Sequence, residues 1–181
     1  MDRVIILQGG EDVKARNNYS LFKQILSLSD SRKILIIPWT TRDLVKEFKY
    51  RSILEKYFKD VGFRDVLFLE KSDSFETVYE KFRSVDVVYL PGGDPKILYE
   101  EITSRPYLIK LLKDFKGILV GNSAGAVVLS KGSPVEEWKG LGLVEFQVVV
   151  HCNLGNLPSN VVCIPEGFWI AVTSGGGGVE C

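Results

Sequence analysis

Short apolar runs alternate with longer amphipathic stretches through the first two-thirds of the chain, and this alternation is the strongest constraint on its fold. The runs are Val4–Leu7, Ile34–Ile37, Val66–Leu69, Val87–Leu90 and Gly117–Val120, and the stretches between them carry apolar residues at helical spacing. Strand–helix–strand units of this kind close with right-handed crossovers and parallel strands. The pattern therefore predicts an open, mostly parallel α/β sheet with helices on both faces.

Small-residue turns follow three of these runs. Gly9–Gly10 follow the first, Pro91–Gly93 follow the fourth, and a turn around Ser123 follows the fifth. Ligands of open α/β sheets bind beyond the carboxyl ends of the strands. We therefore expect the three turns to lie on one rim of the sheet, which is the predicted place of a functional site.

The pattern changes after Ser130. Leu143–Val150, Val161–Ile164 and Phe168–Val172 are typical of strands with only turns between them, so we expect antiparallel strands near the C-terminus. The glycine-rich tail over residues 173–181 is expected to be flexible. One domain, residues 1–181, is predicted.

Two helix starts carry recognisable capping residues. Asp73 has Glu76 three residues on, as in a capping box, and is predicted to open the helix that begins near Phe75. Asp94 is predicted to cap a further helix, with Pro95 at its first position.

Charge is balanced along the chain, and this limits the classes of partner. The sequence holds 23 basic and 23 acidic residues in 181. No electrostatic footprint for nucleic acid or an anionic membrane is present, so neither is expected as a partner. A small-molecule or peptide partner is expected instead.

The three cysteines give an expectation about location. Cys152, Cys163 and Cys181 lack C-x-x-C spacing and an even count, so we expect neither a zinc site nor a disulfide framework, and a cytoplasmic location. The run Val4–Leu7 is too short for the apolar region of a signal peptide and is expected to be a first strand. No apolar run approaches the ~20 residues of a membrane span.

The candidate nucleophile is Ser123, in the spacing Gly121, Ser123, Gly125. Small neighbours allow a sharp strand-to-helix turn that displays the hydroxyl above the sheet, with helix N–H groups facing any anion that forms there. A glycine-rich turn that serves packing alone is the open alternative.

A serine nucleophile needs a base and a group that orients the base. His151, the one histidine in the sequence, closes a strand-like run and is the candidate base. Glu166 stands between an apolar strand and the pair Phe168–Trp169, where a carboxylate is costly without a partner, and is the candidate orienting acid. The alternatives are a structural histidine and a solvated turn glutamate.

An oxyanion hole needs two N–H donors. Ala124, the residue after the serine, offers one, and Gly92 or Gly93 offers the other without a Cβ to block close approach. Gly92, Asp94 and Asn122, which flank these positions, are the candidate substrate-binding residues.

Four ordered motifs resemble the dipeptidase E and cyanophycinase family of serine peptidases, whose fold is similar to that of class I glutamine amidotransferases. The motifs cover nearly the whole chain and are Pro91–Asp94, Gly121–Ala126, Gly140–Leu143 leading to His151–Asn153, and Ile164–Ile170. The resemblance implies a triad of Ser123, His151 and Glu166, with Gly93 and Ala124 as oxyanion donors.

One segment departs from the family pattern. Members similar to dipeptidase E, which cleave after an N-terminal aspartate, have a longer segment between the histidine and the glutamate, with an arginine that pairs with that aspartate. Here Cys152–Pro165 is short and contains no lysine or arginine. The resemblance therefore does not carry specificity for Asp-X peptides to this chain.

The predicted function is that of a dipeptidase E-like serine exopeptidase, which hydrolyses short peptides through an acyl-enzyme with no metal or organic cofactor. A non-catalytic small-molecule or peptide-binding module on the same fold is the alternative. Amidotransferase-like chemistry ranks last because the elbow of those enzymes carries a cysteine where this chain has Ser123.

Overall fold

A seven-stranded sheet forms the centre of the computed structural model, which describes residues 2–153, 155–173 and 179–180. Its strands are β1 (Val4–Gln8), β2 (Lys33–Ile36), β3 (Asp65–Phe68), β4 (Val87–Leu90), β5 (Ile118–Asn122), β8 (Trp169–Thr173) and β9 (Val179–Glu180). The order is β3-β2-β4-β5-β1-β8-β9, and the first five are parallel. The prediction of an open, mostly parallel α/β sheet is confirmed.

The C-terminal strands are antiparallel only in part. β8 pairs antiparallel with β1, as expected for this end of the chain. The strands β6 (Gln147–Val150) and β7 (Val161–Ile164) form a separate pair that is parallel, so the expectation of antiparallel strands is wrong for them. The reason is length: the intervening residues 151–160 can span up to ~33 Å, more than enough to return along a four-residue strand.

Helices cover both faces of the sheet. They are α1 (Tyr19–Ser27), α2 (Leu44–Val61), α3 (Phe75–Arg83), α4 (Pro95–Thr103), α5 (Pro106–Asp114) and α6 (Ala124–Leu129), with a 3₁₀ turn over Val135–Glu137. Among the helices of the described ranges, none combines the length and hydropathy that a transmembrane span requires.

Alternate residues of the central strands face two separate cores. Leu119 of β5 packs with α3 to α6 on one side, whereas Ile118 and Val120 pack with α1 and α2 on the other. This is the period of two that a strand buried on both faces requires, and it explains the continuous apolar runs of the sequence.

One of the two predicted helix caps is correct. Asp94 accepts hydrogen bonds from the N–H groups of Lys96 and Ile97, with Pro95 at the first position of α4, as predicted. The cap of α3 is Ser74 rather than Asp73.

Asp73 lies one residue too early to cap α3. Its carboxylate instead accepts from the N–H of Glu70 at 2.9 Å and from Lys81 Nζ at 2.6 Å. The side chain is therefore used to tie the preceding turn to the end of the helix.

The tail that was expected to be flexible lies partly in strands. Thr173 closes β8, and Val179–Glu180 pair antiparallel with β8 as β9. Ser174–Gly178 and Cys181 lie outside the described residues.

Candidate active site

The ends of three neighbouring strands form the rim that carries the candidate site. β4, β5 and β1 are adjacent and parallel, so the turns that follow Leu90, Asn122 and Gln8 lie side by side at their carboxyl ends. The predicted placement of the three turns on one rim is confirmed.

Ser123 occupies a strained turn between β5 and α6. Its φ is 48° and its ψ is −103°, a sparsely populated positive-φ conformation that costs a non-glycine residue about 1–3 kcal/mol. A Cβ on Gly121 would lie 2.5 Å from the backbone of Gly125, and a Cβ on Gly125 would lie 2.0 Å from the carbonyl oxygen of Leu90. The two glycines are therefore required for this turn to pack against β4.

The side chains of Ser123, His151 and Glu166 form one line of contacts. Ser123 Oγ lies 2.8 Å from His151 Nε2, and His151 Nδ1 lies 3.5 Å from Glu166 Oε2. An ionised carboxylate can only accept a hydrogen bond, so a ring that donates Nδ1–H to Glu166 leaves Nε2 to accept from the serine hydroxyl. This is the arrangement in which an imidazole can take a proton from a serine.

The orienting carboxylate is not wedged between apolar segments as the sequence suggested. The side chain of Glu166 is 58% exposed, and that of His151 is 49% exposed. Glu166 lies in the turn between β7 and β8, closed by the hydrogen bond from Phe168 N–H to Pro165 C=O, and this turn holds it above the sheet. The sequence argument from burial is wrong for Glu166, although the contact with His151 is present.

Three consecutive carbonyl groups at the end of β1 hold the backbone around all three side chains. Gln8–Gly10 accept, in order, from the N–H of Ser123 at 3.0 Å, of His151 at 2.7 Å and of Gly167 at 2.8 Å. Ser123, His151 and the neighbour of Glu166 are thus fixed to one short piece of chain. We call Gln8–Gly10 the β1 clamp.

The glycines of the β1 clamp are needed because of what lies against them. A Cβ on Gly9 would stand 2.1 Å from the carbonyl oxygen of Ile164. Gly10 has a φ of +142°, and a Cβ there would stand 2.1 Å from Cε1 of His151. Sequence reasoning treated the glycine pair as one of the rim turns and missed this role. The signal was the pair itself, directly after a strand.

Glu11 anchors the chain immediately after the β1 clamp. Its Oε1 accepts from the hydroxyl of Tyr57 at 2.6 Å and from the N–H of Asn18 at 3.2 Å. Burial raises the pKa of the Glu11 carboxyl, and the hydrogen bond from Tyr57 opposes that rise. Burial also raises the pKa of Tyr57, so this phenol remains a hydrogen-bond donor to Glu11.

The two candidate oxyanion donors lie on a cavity that opens beside Ser123. Gly93 and Ala124 both line it, and their N–H groups have no hydrogen-bond partner among the described residues. Gly92 hydrogen-bonds through its backbone to the hydroxyl of Tyr50, whose pKa burial raises to about 12. Of the two glycines that the sequence left open, Gly93 is the one that lines the cavity beside Ser123.

Asp94 and Asn122 have other structural partners. Asp94 caps α4, as described above. Asn122 is buried, hydrogen-bonds to Tyr89, and has one side-chain oxygen, Oδ1, without a partner in the described part of the chain. Neither residue, nor Gly92, lines the cavity beside Ser123. Their assignment to substrate binding stays a prediction.

A cavity of about 310 Å³ opens beside Ser123, and we call it the Ser123 cavity. His151 and the two candidate donors form its polar side. Its other walls are formed by the buried Ser133 and by apolar residues, which are Pro95, Val127, Val135, Trp138, Val149 and Val150. The sequence did not indicate these residues, because α6, the 3₁₀ turn and β6 meet only in the folded chain.

A larger groove, of about 580 Å³, lies between α3 and α5. It reaches Asp86 and Lys116, which precede β4 and β5. The groove therefore lies at the amino ends of these strands, whereas Ser123 lies at the carboxyl end of β5. It contains none of the residues that the motifs single out.

Cys152 and Cys163 form a disulfide, so the expectation that the cysteines are unpaired is wrong for these two. Their Cα atoms are 5.9 Å apart, and their sequence separation is 11. β7 runs beside β6 in parallel, and this brings Cys163 next to the residue that follows His151. The bond ties the segment that carries His151 to the strand that leads to Glu166.

Comparisons with known proteins agree with this architecture. The model of peptidase family S51 matches residues 4–162. The crystal structure of a peptidase from an acI-B1 Actinobacterium superposes with a TM-score of 0.78 at 20% identity, covering 97% of this chain and 85% of the other. A candidate peptidase E from Listeria monocytogenes EGD-e superposes with a TM-score of 0.72 at 18% identity, covering 99% and 98%. No curated protein sequence matches the chain.

Replacing Gly10 tests the β1 clamp. In Gly10→Ala the new methyl group would occupy the place of the His151 ring, so the ring must move away from Ser123. We expect the rate at which a fluorophosphonate labels Ser123 to fall at least about 100-fold, the scale of effect of a 1 Å misplacement. Labelling is measured by mass spectrometry of the intact protein.

The matched control is Gly155→Ala, since Gly155 is exposed and a Cβ there would meet only ordinary van der Waals contact at 3.8 Å. This variant should label at the wild-type rate. A Gly10→Ala variant that labels as fast as wild type would contradict the clamp.

Reduction tests the disulfide. Opening a loop of this length should lower the free energy of unfolding by about 3 kcal/mol, because the unfolded chain regains conformational freedom. Urea unfolding with and without dithiothreitol measures the change. The double variant Cys152→Ser/Cys163→Ser should match the reduced protein and ignore the reductant; equal stability of the wild type in both conditions would disprove the link.

Proposed function

Because residues 4–162 match its model, the chain belongs to peptidase family S51, and we propose that it is a serine exopeptidase of the dipeptidase E type in which Ser123, His151 and Glu166 act together. The family makes the chain a serine-type peptidase with a peptide substrate. The proposal adds the residues, the order of proton transfers and the restriction to short peptides.

The observation that carries the proposal is the 2.8 Å contact between Ser123 Oγ and His151 Nε2. A serine hydroxyl is a weak nucleophile unless a base removes its proton as it attacks. His151 stands at hydrogen-bond distance with Nε2 turned toward the hydroxyl. The strained turn at Ser123 supports the same role, since strain at a non-glycine residue is typical of functional sites.

The reaction then follows the order of an acyl transfer. Ser123 Oγ attacks the carbonyl carbon of the scissile bond while its proton passes to His151 Nε2, and the negative charge that develops on the carbonyl oxygen is stabilised by the N–H groups of Gly93 and Ala124. His151 next gives the proton to the leaving amine. Water, deprotonated by His151, then attacks the acyl carbon, and His151 returns this proton to Ser123 Oγ as the bond between Oγ and the acyl group breaks.

Glu166 orients the imidazole and stabilises its charged form. Its Oε2 lies 3.5 Å from Nδ1 in the free protein. Catalytic hydrogen bonds that are long without substrate commonly shorten when substrate binds. Side chains and backbone N–H groups serve every bond change, so the proposal includes no cofactor.

Restriction to short peptides is supported by the size of the Ser123 cavity. Its volume of about 310 Å³ is at the small end of the roughly 300–1,000 Å³ of ligand pockets. The candidate peptidase E from Listeria monocytogenes EGD-e, similar over 99% of this chain, supports the same type of activity.

The cytoplasmic location stays a prediction, and one of the observations on which it rested does not hold. It rested partly on unpaired cysteines, and Cys152 and Cys163 form a bond that is rare in a reducing compartment.

Removal of the nucleophile tests the proposal. Ser123→Ala should lower kcat/KM for dipeptide hydrolysis by about 10⁴-fold or more, because the acyl-enzyme cannot form. Release of free amino groups measures the rate, and circular dichroism checks that the variant is folded. Ser52→Ala, an exposed serine on α2, is the matched control and should keep full activity.

Hydrolysis by Ser123→Ala at the wild-type rate would overturn the proposed nucleophile. Binding of peptides by the wild type without hydrolysis, and without labelling of Ser123 by a fluorophosphonate, would favour the non-catalytic binding module instead.

A further inference from the structure

The walls of the Ser123 cavity differ chemically from what an acidic substrate requires. Among the described residues no lysine or arginine lines it. Apart from Ser123 and His151, the polar groups on side chains that line it in the described part of the chain are the indole N–H of Trp138 and the hydroxyl of the buried Ser133, whose oxygen accepts from the N–H of Val135 at 3.2 Å. A carboxylate in this cavity would therefore lose water without gaining a charged partner.

Lysines that line neighbouring grooves do not supply such a partner, and Lys131 among them is paired with Glu145. Lys96 and Lys139 line a neighbouring groove on the other side of Trp138. Three carboxylates, those of Glu100, Glu136 and Glu137, line the same groove, so acidic groups outnumber the lysines there. An anion approaching from this side meets no excess of positive charge.

Apolar side chains, by contrast, find a surface of matching chemistry. The indole of Trp138 and the side chains of Val127 and Val149 offer walls against which aliphatic or aromatic groups can leave water. The cavity is continuous with Ser123, so whatever enters it belongs to a residue beside the bond that Ser123 attacks.

We propose that the Ser123 cavity is a specificity pocket for an aliphatic or aromatic side chain of a residue flanking the scissile bond, so that this peptidase favours apolar residues there over aspartate. The inference rests on the proposed function for its reaction, and it concerns the substrate alone. Val135 and Trp138 are its specificity-determining residues.

A panel of dipeptides tests the preference. The peptides are X-Ala and Ala-X, with X as Leu, Phe or Asp, and kcat/KM is measured for each. At one of the two positions Leu and Phe should exceed Asp by at least about 10-fold, the discrimination that even one methylene can give in an apolar pocket. Equal rates, or a preference for Asp at either position, would overturn the inference.

A positive charge at the mouth of the Ser123 cavity should weaken the preference for apolar side chains over aspartate. Val135 is 45% exposed and lines the cavity, so Val135→Arg adds a cation with little risk to the core. We expect the Leu-to-Asp ratio to fall at least about 10-fold at the same substrate position. Val45→Arg, 63% exposed on α2, is the matched control and should leave the ratio unchanged.

Trp138→Ala and Lys96→Ala distinguish an apolar pocket in the Ser123 cavity from a binding site for an acidic side chain in the neighbouring groove. Loss of the apolar preference in Trp138→Ala supports the pocket, since the indole is its largest apolar wall. Hydrolysis of Asp peptides that depends on Lys96 would overturn the inference, because it would make the neighbouring groove the binding site of an acidic side chain.

A binding measurement keeps this test apart from that of the proposed function. The same peptides are titrated into Ser123→Ala while the indole N–H signal of Trp138 is followed by NMR, with Trp138→Phe to assign it. Stronger binding of Leu and Phe peptides supports the pocket even if the wild type hydrolyses none of them, an outcome that would overturn only the proposed function. Hydrolysis that requires Ser123, together with equal binding of all peptides, would overturn only the pocket.

Discussion

Three carbonyl groups in succession, those of Gln8, Gly9 and Gly10, hold the backbone at Ser123, at His151 and directly after Glu166. Each accepts one N–H, from Ser123, His151 and Gly167 in turn. The side chains come from β5, β6 and the turn before β8, which are far apart in sequence, so a shared backbone anchor is what keeps their atoms within hydrogen-bond distance. Strain at Ser123 can persist because this neighbourhood over-determines it.

The sheet was predictable because its signal is local. The inner parallel strands β1, β2, β4 and β5 are buried on both faces and therefore appear as continuous apolar runs, and each crossover helix shows its own periodicity. The pairing of β6 with β7 has no such signal, since a ten-residue connection allows either direction. The predicted cap of α3 was wrong for a similar reason. Aspartate and serine are both favoured at the N-cap, and the folded chain shows that Asp73 contacts Lys81 while Ser74 caps the helix.

Within the site, the residues that carry the chemistry were easier to find than those that position them. Ser123 has a spacing motif, His151 is the one histidine in the sequence, and Glu166 follows from the family resemblance. Gly10 acts by lacking a side chain where the ring of His151 lies, which only the folded chain reveals. The Cys152–Cys163 bond likewise depends on the direction of β7, which the sequence did not predict. The apolar walls around Trp138 form only where α6, the 3₁₀ turn and β6 meet in the folded chain.

The tautomer of His151 is the measurement that tests the account most directly. The sequence contains one histidine, so ¹⁵N NMR of the imidazole reports on this ring without ambiguity. If Glu166 accepts from Nδ1 and Ser123 donates to Nε2, the neutral ring carries its proton on Nδ1. A neutral ring protonated on Nε2 would contradict the account, because that nitrogen could not then take the proton of Ser123.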